Sequence, residues 1–183
     1  MNSYRTFLAI DLPDNIRDTL EALSEECRTG RAVDWDDLHL TLHFLGDQPV
    51  DLLEEAHENL SARPLPAPDL EFDGLGGFGT PARSVAALIR PNDTLNALHK
   101  TTASALRQSG ITLEHRRFRP HVTLLRIPRN QPPQDQAKLH SFLTTYAGKS
   151  LPPFTPDSMT LYRSILRPEG PIYDPLVSYD LGT

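Results

Sequence analysis

Two short stretches carry the same chemistry-bearing pattern. Residues 38–46 read LHLTLHFLG and residues 119–126 read RPHVTLLR, so His39-Leu40-Thr41-Leu42 is matched by His121-Val122-Thr123-Leu124, 82 residues later. In an extended strand successive side chains alternate faces. Each stretch then presents an imidazole and a hydroxyl on one side and aliphatic residues on the other. A pair of imidazoles suits acid–base chemistry near neutral pH, since an unperturbed histidine titrates at about 6.5. A neutral one takes a proton from a nucleophile, and a charged one gives a proton to a leaving oxygen. Together they support an in-line displacement at phosphorus without a metal, and the threonine hydroxyls can donate to the phosphate oxygens as charge develops. The same alternation puts His43 with His39 and Thr41, and Phe44 with the aliphatic side.

Positive charge gathers near the second motif. Arg116, Arg117, Arg119, Arg126 and Arg129 fall within fourteen residues. Alone, such a run reads as a solvated strand edge. Beside a candidate catalytic histidine it reads as an anion site, because the guanidinium is a planar, bidentate donor to phosphate. Arg126 stands an odd number of residues from His121, so an unbroken strand turns it away from the site. It needs a bulge or a strand end to reach it.

Other chemistries fit less well. His39 and His43 have the i, i+4 spacing of a zinc pair on a helix, but their surroundings are strand-like and no HExxH is present. The only cysteine, Cys27, excludes an intramolecular disulfide and a Cys-based zinc site. DGLGGFGT, residues 73–80, has neither a P-loop lysine nor a helix start and reads as a mobile loop. No G-x-S-x-G elbow appears. His57, His99, His115 and His140 read as surface or packing residues. No metal or cofactor is expected.

The elements that position the motifs follow from periodicity. A strand is expected over 4–11, a helix near 13–28, a strand over 33–45 with a Gly46-Asp47 turn, and a helix near 50–62. Residues 64–68 form a connector, with strands near 69–74 and 83–90. The order then repeats: a helix near 93–109, strands through 111–127, a helix near 133–147, and strands near 154–166 and 172–181. Helix ends, helix starts, the two histidines and the pair Phe72 and Phe154 all recur at an offset of 81–83 residues. This suggests an internal duplication, approximately 13–90 and 94–172, within one domain spanning 1–183. Two such halves packed about a pseudo-twofold axis bring the motif strands together.

The 183 residues suit one unit of two lobes, and 38% hydrophobic with 23% charged residues suits a folded globular chain. A net charge of −6 argues against broad, non-specific nucleic-acid binding. No apolar run approaches the roughly 20 residues of a membrane span. The N-terminal apolar patch is too short for a signal peptide, so a cytoplasmic chain is expected.

With FLAIDLP, LHLTLHFLG, FRPHVTLLR and LYRSIL…GPIYDPL in place, the sequence resembles the two-histidine phosphoesterases, specifically the RNA 2′,3′-cyclic phosphodiesterases also called 2′-5′ RNA ligases. The resemblance covers nearly the whole chain. It implies a bilobal α+β fold in which two pseudo-twofold-related antiparallel sheets, flanked by helices, enclose a central cleft. It implies metal-independent hydrolysis of a 2′,3′-cyclic phosphate on an RNA end, or on a small cyclic nucleotide, to a 2′-phosphate by a monomer. His39 is the implied proton donor to the 3′-oxygen and His121 the implied proton acceptor from water. Thr41, Thr123 and Arg126 are the implied phosphate contacts. Ligation in reverse, and a non-catalytic module that binds RNA ends, are the alternatives. Phe7 and Phe44 read as core packing, with base stacking as the other use.

Overall fold

A computed structural model describes residues 2–182, which form eight strands and four helices. The strands are β1 (Ser3–Asp11), β2 (Arg31–Ala32), β3 (His39–Pro49), β4 (Phe72–Phe78), β5 (Ser84–Ile89), β6 (His121–Arg126), β7 (Ser158–Ile165) and β8 (Ile172–Asp180). The helices are α1 (Asp14–Glu25), α2 (Val50–Ser61), α3 (Asp93–Gln108) and α4 (Pro133–Tyr146). The fold is α+β with an antiparallel sheet, as expected.

Local chemistry explains the helix limits. Asn92 caps α3 by accepting a hydrogen bond from the Leu95 N–H at 2.8 Å, and α4 opens on Pro133, where a missing N–H costs nothing. Ile16, Leu20 and Leu23 on α1, and Leu95, Leu98 and Leu106 on α3, are buried and form the apolar stripes the periodicity requires. They join Leu8, Ile10, Leu40, Leu42, Val122 and Leu124 from the strands in the hydrophobic core. Aliphatic residues of β1, β3 and β6 therefore face the helices and leave the opposite face of the sheet for chemistry.

The strand order is β4-β5-β6-β3-β1-β7-β8, with β2 on β6. The two expected sheets are fused, and their seam is a single residue pair, Leu40 with Val122. β4 comes from the first half of the sequence yet pairs with β5 on the β6 side, whereas β7 and β8 from the second half extend the β3 side. Lobes and sequence halves thus interleave.

Four expectations are corrected. Residues 73–80 do not form a mobile loop: most of this stretch is β4, paired along β5. Gly74, at φ +78°, lies against the Ala147 carbonyl with no room for a Cβ, so this glycine serves close backbone approach. The stretch 111–120 is irregular, and only 121–126 is strand. The region 33–38 is a short 3-10 turn at Trp35–Asp37 rather than strand. Gly46-Asp47 is no turn, because β3 continues to Pro49 with Gly46 at φ +71°. Among the described residues no helix is long and apolar enough to cross a membrane.

Candidate active site

The seam builds the site. Leu40 faces Val122 across antiparallel strands, so the same register taken one residue either way sets His39 opposite Thr123 and Thr41 opposite His121. All four side chains then project from one face. They line a cleft of about 820 Å³, together with Arg126.

Each motif strand carries the same irregularity. On β3, Thr41 pairs with Ala9 but His43 pairs with Leu8, leaving Leu42 extra. On β6, Thr123 pairs with Ala86 but Leu125 pairs with Val85, leaving Leu124 extra. A bulge of this kind reverses which residues face the cleft beyond it. Arg126 thereby reaches the cleft, which meets the condition its odd spacing imposed. The same reversal overturns two expectations. His43 does not share a face with His39; it is buried, with Nε2–H donating to the His99 carbonyl at 3.2 Å and the Thr102 hydroxyl 2.9 Å away. Phe44 does not pack in the core; it is 69% exposed on the cleft wall. With His39 and His43 on opposite faces, this i, i+4 pair cannot converge on one ion. Among the described residues no three of His, Cys, Asp and Glu gather as a metal-ligand set.

The imidazoles are held alike. His39 Nδ1 lies 2.6 Å from the Asp37 carbonyl, and His121 Nδ1 lies 2.6 Å from the Arg119 carbonyl. A carbonyl only accepts, so each Nδ1 carries the proton and each Nε2 is left for chemistry. Thr41 Oγ1 is 3.1 Å from His39 Nε2 and donates to it when the ring is neutral. A phenylalanine stacks on each ring: Phe7 on His39 at 4.9 Å and Phe78 on His121 at 4.3 Å between centroids. Arg119 in turn lies over Phe78. Tyr173 meets His39 edge-on at 5.5 Å.

Burial pushes the His39 imidazolium down, to about 4, and Arg126 and Arg17 add to that effect. The Asp37 carbonyl and the Asp11 carboxylate pull the other way. Burial raises the Tyr173 phenol, against the nearby Arg126 guanidinium.

Phe78, Tyr173 and Asp11 were missed by sequence reasoning, as was the placement of Phe7 under His39. A period-two reading of FLAID gives Phe7, Ala9 and Asp11 a common face, and that signal was available. Nothing near Phe78 or Tyr173 in the sequence points to the histidines, because both arrive from distant strands.

The two His/Thr pairs thus share one cleft of an α+β protein built on an antiparallel sheet. The chain belongs to the 2′-5′ RNA ligase superfamily, whose family model matches residues 12–165. It is 29% identical over 177 residues to an RNA 2′,3′-cyclic phosphodiesterase of Archaeoglobus fulgidus, covering 94% of this chain and 97% of that protein. It is 35% identical over 126 residues to the Escherichia coli protein of the same name, covering 67% of this chain and 71% of that one. The crystal structure of E. coli LigT complexed with 3′-AMP superposes with a TM-score of 0.79 at 27% identity, over 100% of both chains.

Proposed function

We propose that this protein is an RNA 2′,3′-cyclic phosphodiesterase that hydrolyses the cyclic phosphate to a 2′-phosphate without a metal. One observation carries the mechanism: the Leu40–Val122 register, which turns two His/Thr pairs toward one cleft with both Nε2 atoms uncommitted to the backbone.

In this reading the cyclic phosphate sits between the motifs. His121 Nε2 takes a proton from water as the water oxygen bonds to phosphorus. The bond from phosphorus to the 3′-oxygen breaks, and His39 Nε2–H gives that oxygen its proton. The product carries a 2′-phosphate and a free 3′-hydroxyl. Thr41, Thr123 and Arg126 donate to the non-bridging oxygens, where charge develops. Nothing in this sequence of steps needs a second chain, so a monomer suffices.

The burial of His39 makes its proton conditional. Free, it is neutral near pH 7. A phosphate anion in the cleft supplies the negative charge that favours its imidazolium. His39 acts while protonated, so activity that depends on it is lost as pH rises, and the limb it sets in kcat/KM, which reports the free enzyme, should lie near pH 4. The limb of kcat, which reports the complex, should lie higher.

Phe44 offers an exposed ring on the cleft wall, a surface on which a nucleobase can stack.

The test is turnover of a 2′,3′-cyclic mononucleotide, and of RNA with the same terminus, by protein dialysed against chelator. Release of the 2′-phosphate product supports the reading. Binding without turnover identifies a module that recognises ends, and activity restored only by divalent ions overturns the two-histidine mechanism.

A further inference from the structure

Ser158, Thr160 and Tyr162 occupy alternate positions on β7, and all three hydroxyls end on one acceptor. Ser158 Oγ at 2.9 Å and Thr160 Oγ1 at 2.7 Å donate to Asp11 Oδ2, and Tyr162 Oη at 2.7 Å donates to Oδ1. Among the described residues this carboxylate has no ion-pair partner. Neutral donors satisfy its lone pairs while no cation cancels its charge.

On its other side, β1 sets Asp11 directly across from His39 in the strand register. The Tyr162 ring that the carboxylate anchors stacks on Phe7 at 5.3 Å, and both rings neighbour the imidazole, at 6.4 Å for Tyr162 and 4.9 Å for Phe7. Asp11 does not line the cleft itself. It therefore acts on His39 in two ways, as a nearby negative charge and as the anchor of the ring cluster.

We propose that Asp11 is the positioning residue of the acid half-site: held on the hydroxyl ladder of β7, its carboxylate stabilises the imidazolium of His39 when a phosphate-bearing substrate fills the cleft. This rests on the reading of His39 as general acid. The charged and titratable groups around His39 are Asp11 from β1, Asp37 before β3, Arg17 from α1, Arg126 from β6, Tyr162 from β7 and Tyr173 from β8. Arg17 and Arg126 oppose a second positive charge there, and Asp11 is the carboxylate that counters them. A half-buried imidazole asked to deliver a proton needs such a counterweight.

The test follows the His39 ring by NMR titration in the full-length protein with a nucleoside 2′-monophosphate bound. It also compares kcat/KM on a 2′,3′-cyclic nucleotide with that on bis(p-nitrophenyl) phosphate, whose leaving group needs no proton. In Asp11→Asn and Asp11→Ser the His39 midpoint should fall by about one pH unit, tenfold in the proton equilibrium. Turnover of the cyclic substrate should fall about tenfold and that of the aryl diester by less than about twofold. Tyr162→Phe keeps the ring but removes one donor, leaving more of the carboxylate charge uncompensated, so its midpoint should move upward. This variant carries the test if the uncharged ones do not fold. A midpoint unmoved in a folded Asp11 variant or in Tyr162→Phe overturns the proposal, as does an equal loss on both substrates. Full activity in His39→Ala would instead sink the general-acid reading, which the titration does not depend on.

Discussion

The two halves of the cleft share a backbone and differ in what surrounds it. Each has a histidine at the start of a strand, its Nδ1 tied to the carbonyl two residues back at 2.6 Å, a threonine two residues on, and a bulge at the next leucine. Around that common frame, His39 sits in a ring cluster with the Asp11 carboxylate next door, while His121 lies under Phe78 with Arg119 above. Past the bulge, the cleft-facing residue is Phe44 on one side and Arg126 on the other. In the proposed mechanism the frame duplicates the catalytic group and the surroundings divide its labour. An acid must hold a positive charge before it acts, and a carboxylate beside it serves that need. Under the proposed function, a ring on one wall and a guanidinium on the other orient a nucleotide with its base toward Phe44 and its phosphate toward Arg126.

The sharpest break in this comparison is removal of the histidines. His39→Ala and His121→Ala should each lose about 10²–10⁴-fold in kcat/KM on a cyclic nucleotide. On bis(p-nitrophenyl) phosphate the His39 variant should recover most of its deficit, because that leaving group needs no proton. The His121 variant should not, because water still needs a base. Rescue of the His121 variant instead would reverse the assignment.

Next comes Arg126→Ala, expected to cost about 1.5–3 kcal/mol, tenfold or more in kcat/KM. Arg116 also lines the cleft, but its guanidinium is held by Glu114 at 2.8 Å at an exposed position. Arg116→Ala should therefore cost less. Steady-state kinetics of the pair decide it, and equal small losses would remove Arg126 from the phosphate. Phe44→Ala should follow with about 1 kcal/mol, roughly fivefold, appearing in KM for nucleotide substrates and not for the aryl diester.

Much of this was legible in the sequence. The repeated H-x-T gave both imidazoles and both hydroxyls, because strand periodicity alone fixes which side chains travel together. The chain could not reveal the bulges, since no glycine or proline marks Leu42 or Leu124. Without them the alternation rule misplaced His43 and Phe44 and left Arg126 conditional. The glycine-rich β4 read as a loop for a related reason: its strand state comes from pairing with β5 and from the Gly74 contact with Ala147, which are tertiary facts. The Asp11 ladder spans 151 residues between Asp11 and Tyr162, beyond any local pattern.

The last contrast lies on the core side of the bulges and should leave turnover unchanged. There β6 places Leu125 and β3 places His43, both buried. Burial, with His99 beside it, pushes the His43 imidazolium down to about 3. The unfolded chain binds a proton at that residue below about pH 6.5, but the folded chain does not until far lower. Stability should therefore fall as pH drops from about 6.5, by about 2 kcal/mol at pH 5 from this residue alone. His43→Leu, which makes the two motifs alike, removes that titration. It also costs the bond to the His99 carbonyl, about 1 kcal/mol at pH 7. Urea denaturation at pH 7 and pH 5 checks both: the variant should be the less stable protein at pH 7, and its stability should change less between the two. Equal pH dependence in parent and variant would mean that His43 accepts its proton without unfolding, and that this side of the seam is more open than its burial indicates.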